Sequence, residues 1–304
     1  MALSTRVGGQ TYPTKPVTII VPFAAGGASD LVLRTFIDTA PAVLGQPVVV
    51  QSRPGGGGAI ASDLVARAKP DGYTLLFGHS NSNSILPAVE GRSKGPDDLI
   101  AVCRVNTSGT FLLVRADAPF RTFGEMVAWA RANPGTLIVA NTGPWSAVDV
   151  TWKRMELEMG IHLRIVSYPG GADALVALLG GHVQAALLAP PQSLPQVRAG
   201  RLHALAWSGL ERHRDLPAVP TAAEQGFDKT LSVFKGVMAP PGTPRPIVDR
   251  LADGFRRMLA TPQAIDGIHR LGDEVAFLGP EEFAAYWRAE YETFRDLGRL
   301  LRRP

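Results

Sequence analysis

The chain has 304 residues, 45% of them hydrophobic and 19% charged. That length favours two packed domains over a single core, and the composition is globular, which excludes a disordered or fibrous protein. No apolar run approaches the roughly 18 residues of a membrane span. The net charge of +4 comes from scattered lysines and arginines, so no nucleic-acid partner is expected.

The opening segment, MALSTRVGGQTYPTKP, lacks the apolar stretch of a signal peptide. Two readings stay open at this point: a cytoplasmic protein, or an exported one whose signal is absent from the chain. VTIIV at 17–21 predicts a buried strand, apolar on both faces, and the chain is helical again by residue 34. Between them, AAGGAS lies where open α/β sheets bind ligands, at a strand's carboxyl end. Gly26 and Gly27 lack Cβ and let backbone approach a ligand, while Ser29 can cap the helix or donate a hydroxyl bond. The loop is either a presenter of backbone donors to an anion or a tight turn capped by Ser29 and Asp30.

Further strands are predicted at VVV (48–50), TLLF (74–77), FLLV (111–114), LIVA (137–140), LRIV (163–166), AALL (185–188) and HALAW (203–207). RPGGGGAIASDLV (53–65) precedes a helix but lacks the spacing of a dinucleotide or P-loop fingerprint. GHSNSNS (78–84) is a polar strand end or a surface turn. Cys103, the single cysteine, reads as a buried inert thiol and leaves the redox compartment open. Thr122 with Glu125 forms a capping box, Ser146 with Asp149 fits another, and Thr243-Pro244 reads as a cap and first-turn proline. Strand alternating with helix predicts parallel sheets. A break near 103 and a return near 230, with APPGTPRP (239–246) as linker candidate, make the first domain discontinuous.

No nucleophile elbow, HExxH or paired Cys/His spacing is present, and the six histidines are dispersed. No catalytic residue, metal or cofactor is therefore expected. A hydrolase using Ser80 with His79 is the rival reading, disfavoured because adjacent residues rarely aim at each other and no oriented acid accompanies them.

Taken together, YPTKPVTIIVPFAAGGASD, LGQPVVVQSRPGGGG, KPDGYTLLFG, YPGGADALVALLGGHVQAAL, LPQVRAGRLHALA, LPAVPTAAEQGF and GVMAPPGTP resemble, in order, the periplasmic solute-binding proteins of tripartite tricarboxylate transporters, the Bug family. The resemblance runs over nearly the whole chain from Tyr12. It implies an α/β, two-lobed type II periplasmic-binding-protein fold with parallel-rich sheets and a hinge between lobes: lobe 1 from 12–103 and 230–304, lobe 2 from 104–229. It also implies a monomer that is not an enzyme, periplasmic, with its export signal absent from the chain. Such a protein captures a small organic carboxylate between its lobes and delivers it to membrane transporter subunits; a sensory ligand-binding component is the alternative. The ligand-binding residues implied are Phe23, Ala25, Gly27, Ala28 and Ser29, then Ser80 and Ser82, then Thr142 and Ser146, and finally Gly171 and Ala172. The sequence departs from the family at Trp145, where relatives have a small residue, at Asp149, where histidine is common, and at His79. Trp145 and Asp149 are added to the ligand set, with Trp145 expected either to take up ligand volume or to pack against its own lobe.

Overall fold

The computed structural model describes residues 5–7, 10–209, 211–227 and 232–301. In chain order the first stretch contains β1 (Thr5–Val7), β2 (Gln10–Tyr12), β3 (Val17–Val21), α1 (Ala28–Arg34), α2 (Ala40–Leu44), β4 (Val48–Ser52), α3 (Ala59–Ala66), β5 (Thr74–His79), α4 (Leu86–Glu90) and β6 (Ile100–Ser108). Next come β7 (Phe111–Arg115), α5 (Phe123–Ala132), β8 (Leu137–Asn141), α6 (Ala147–Met159), β9 (Leu163–Ser167), α7 (Gly171–Leu179), β10 (Ala185–Leu188), α8 (Pro190–Arg198) and β11 (Leu202–Trp207). The last stretch holds β12 (Val233–Ala239), α9 (Arg245–Leu259), α10 (Pro262–Arg270), β13 (Glu274–Leu278) and α11 (Pro280–Leu301).

Two compact units result: residues up to Thr107 together with those from Phe234, and Ser108–Val233. The first crossing thus lies at 107/108 rather than 103/104, because β6 remains paired with β13 as far as Thr107. The return expected at 229/230 falls outside the described residues. APPGTPRP is no linker; it joins β12 to α9 within the first unit.

The first unit's sheet has the order β13-β6-β12-β5-β3-β4, and the second's β11-β7-β10-β8-β9. In the first, β3 is parallel to β4 and β5; in the second, β8 is parallel to β9 and β10. Both sheets are mixed, however: β12 opposes β5, and β7 opposes β10 and β11. Strands β7 and β12 are those on which the chain passes between units, so no crossover helix sets their direction.

Alternation along the strands fills a core on each face of each sheet. Val17, Ile19 and Val21 pack with Leu75, Phe77 and Cys103, while Ile20 and Leu76 pack on the opposite face with Trp287. Likewise Leu112 and Val114 face one core of the second unit and Phe111 and Leu113 the other. Burial pushes the Cys103 thiol pKa up, in keeping with an inert thiol. Thr122 caps α5 by accepting the Glu125 N–H. Thr243 does not cap α9; Pro244 is the N-cap residue and the Thr243 hydroxyl donates to Pro240 O. Among the described residues no helix is long and apolar enough to cross a membrane.

Candidate functional site

Ligand crevices in open α/β sheets form where strand order reverses, outside the strands' carboxyl ends. In the first unit the chain goes from β3 outward to β4 and back past β3 to β5, so the reversal separates β3 from β5. The loops leaving these strands are 22–27 and the segment from His79. In the second unit the same argument selects β8 and β10, whose exits are 142–146 and Ala189.

The first loop leaves β3 with Ala25 and Gly26 exposed and Phe23 half-buried, edge-on to His79 at 5.5 Å between ring centroids. Gly26 takes the left-handed conformation, at φ +77. Gly27 is the N-cap residue at φ −74, and its constraint is crowding: a Cβ there would lie 3.0 Å from Ala24 O. Ser29 is not the cap. It is the second residue of α1, 3% exposed, and α1 has no side-chain cap bond. Asp30 folds back instead, its Oδ2 accepting the Gly26 N–H and Arg34 Nε, both at 2.9 Å. The Arg34 hydrogen bond, aided by Gly26, holds the Asp30 carboxyl below the usual carboxylate range. The acid of this first turn is therefore neutralised locally, and the N–H groups of Ala28 and Ser29 have no intrahelical partner.

At the end of β5, Ser80 and Ser82 are buried. Ser80 Oγ donates to Glu290 Oε1 at 3.0 Å and accepts the Phe234 N–H at 2.9 Å. Ser82 Oγ lies 2.7 Å from Asn83 Oδ1 and 3.2 Å from His79 O. His79 Nδ1 accepts the Asn81 N–H at 3.1 Å. Burial, reinforced by the nearby Lys235 charge, pushes the His79 pKa down to about 3 and keeps the ring neutral. Ser80 Oγ is thus bonded to Glu290 and Phe234, so the Ser80–His79 pair of the hydrolase reading is not formed.

In the second unit α6 starts on Ser146, whose Oγ accepts the Asp149 N–H at 3.1 Å and the Thr142 hydroxyl at 3.2 Å. Asp149 is buried and fully engaged. Its Oδ1 accepts Asn141 Nδ2 at 2.9 Å, and its Oδ2 accepts the Trp145 N–H at 2.8 Å and Lys153 Nζ at 2.7 Å. Trp145 sits at φ +57, a conformation that costs a bulky residue about 1 to 2 kcal/mol. The Lys153 ammonium lies over its ring, 4.5 Å from the centroid, so one indole face packs within its own unit.

Beyond β9, α7 begins at Gly171 and Ala172 after Gly170, again without a side-chain cap. A Cβ on Gly171 would lie 2.6 Å from Gln192 Oε1, so the Gln192 amide from α8 presses on the first turn of α7. Neither Gln192 nor Lys153 was expected from the sequence. Pro190 just after AALL marks the helix that carries Gln192, and Lys153 stands four residues after Asp149, the spacing of a helical ion pair.

The family described as tripartite tricarboxylate transporter family receptor matches residues 32–290. Protein BugT of Bordetella pertussis is 31% identical over 98% of this chain and 92% of its own. A TctC solute binding protein from Polaromonas superposes with a TM-score of 0.88 at 28% identity, over 94% of this chain and 99% of that one. MatC from Rhodopseudomonas palustris, solved with bound malate, has a TM-score of 0.72 at 29% identity, over 94% of this chain and 100% of that one.

Proposed function

The chain belongs to the tripartite tricarboxylate transporter receptor family, and from that premise we propose that it is a periplasmic receptor that captures a small organic carboxylate and delivers it to transporter subunits in the membrane. It acts as a monomer and makes or breaks no bond in its ligand. The observation that carries this reading is the pair of uncapped helix starts, α1 after Gly27 and α7 after Gly170. Each offers N–H groups and the positive end of a helix dipole to an anion, worth about 0.3 to 1 kcal/mol apiece and up to about 2 when partly buried. Asp30, the first-turn acid of α1, is already paired with Arg34 and opposes an incoming carboxylate little, as does Asp149 at the start of α6, paired with Lys153; the first-turn acid of α7 is the exposed Asp173.

The ligand is held by backbone at Ala25, Gly27, Ala28, Gly171 and Ala172 and by the hydroxyls of Ser29, Thr142 and Ser146. Phe23 supplies an apolar wall, and Ser80 and Ser82 shape the β5 end from within. Malate on MatC makes a small carboxylate the first chemistry to try. A thermal-shift screen of mono-, di- and tricarboxylates tests the reading. A ligand at about 100 times its Kd adds roughly 2.7 kcal/mol of stability, and a flat response to every carboxylate contradicts the proposal.

A further inference from the structure

Trp145 combines features that a loop residue rarely shows together. It is a bulky side chain in left-handed backbone, at φ +57, in the loop that leaves β8 where the second unit's strand order reverses. Backbone strain of this kind persists only where the surroundings over-determine it, and it concentrates at ligand sites. The surroundings here are explicit. Asp149 Oδ2 accepts the Trp145 N–H, Asn141 fixes the other carboxylate oxygen, and Lys153 spans from Asp149 Oδ2 to the face of the indole ring. With the Asp149 side chain 4% exposed, this clamp holds the ring in one orientation and leaves the residue half-buried.

The clamp also has an electrostatic consequence. An indole face is negative and ordinarily repels an anion or an electron-rich ring. A cation held over one face draws on that negative potential, so the other face accepts the π-system of an anion more readily. Lys153 itself does not recruit a second carboxylate, because its ammonium is already 2.7 Å from Asp149. A second acid group at this end would have to share Lys153 with the Asp149 carboxylate, whose charge already offsets the ammonium and repels another anion.

We propose that Trp145 is the specificity-determining residue of the second unit, that Asp149 and Lys153 are its positioning residues, and that together they select a monocarboxylate with a flat unsaturated body, an arenecarboxylate. This inference rests on the carboxylate reading above. Aromatic stacking of this kind corresponds to a preference of about two- to tenfold over a non-planar body of equal carbon number.

The test is calorimetric titration of the whole protein with benzoate and with cyclohexanecarboxylate, which share carbon count and acid group and differ in planarity. The parent binds benzoate several-fold tighter. Trp145→Leu brings the two affinities together, Trp145→Phe keeps most of the difference, and Asp149→Asn narrows it, with far-ultraviolet circular dichroism confirming that each variant is folded. A ratio near one in the parent, or a ratio that survives Trp145→Leu, overturns the inference while other carboxylates still bind. Failure of every carboxylate to bind overturns both the inference and the reading on which it rests.

Discussion

Lys235 Nζ lies 2.5 Å from Asp273 Oδ2, and both residues are buried in the first unit. The same oxygen accepts Asn106 Nδ2 at 2.6 Å, which ties together β6, β12 and the segment before β13. Removing one member of a buried pair leaves an uncompensated charge, at a cost of about 3 to 5 kcal/mol. Lys235→Met should therefore lower unfolding free energy by that order in urea melts, and adding Asp273→Leu should recover much of the loss. A single variant within 0.5 kcal/mol of the parent, on the order of an ordinary surface substitution, would rule out a structural role for the pair.

Glu290 gives a pH dependence. Burial pushes its pKa up to about 7 from 4.5, against the lowering effect of the nearby Ser84 and Ser80 hydroxyls, of which Ser80 donates to Oε1, and of the Arg104 charge. With the folded pKa raised, the folded state binds more protons between those values. This group's contribution is full below pH 4.5 and lost as pH rises through 7, by up to about 3 kcal/mol. Glu290→Gln, which mimics the protonated carboxyl, should raise the melting temperature at pH 8 and change it little at pH 4. A gain of equal size at both pH values would show that Glu290 does not titrate on folding.

Ser146→Ala removes the N-cap of α6 and the acceptor of the Thr142 hydroxyl. The expected loss is about 1 kcal/mol of stability, together with weaker carboxylate binding. Thermal unfolding and titration measured on the same preparation check both parts; full affinity in a destabilised variant would remove Ser146 from the ligand set.

Gly27→Val places a branched side chain against Ala24 O, where even a Cβ would lie at 3.0 Å. The loop rather than the core must yield, so carboxylate binding should disappear while circular dichroism stays unchanged. Parental affinity in this variant would mean that the first loop does not line the site.

Much of the architecture could be read from short apolar runs. VTIIV, AALL and their companions announce buried strands because both sheet faces are covered, and the strand-then-glycine loops point to the reversal points of the two sheets. What escaped the pattern was β6, β12 and β13. IAVCRVNTS mixes Arg104 and Asn106 into a strand, and those side chains read as surface positions until Ala276 O and Asp273 are seen to receive them. Composition alone cannot distinguish the left-handed Gly26 from Gly27, which caps α1 at negative φ. At the site, the Ser146–Asp149 cap was legible as a spacing, whereas the extension of Asp149 to Trp145 and Lys153 depends on a backbone conformation that no spacing reports.

The most direct measurement is calorimetric titration of the parent protein with the carboxylate that gives the largest thermal shift. The account predicts saturable binding of one carboxylate per chain, lost in Gly27→Val and weakened in Ser146→Ala. A folded parent that produces no binding heat with any mono-, di- or tricarboxylate, at temperatures spaced widely enough to expose a zero-enthalpy case, would contradict it.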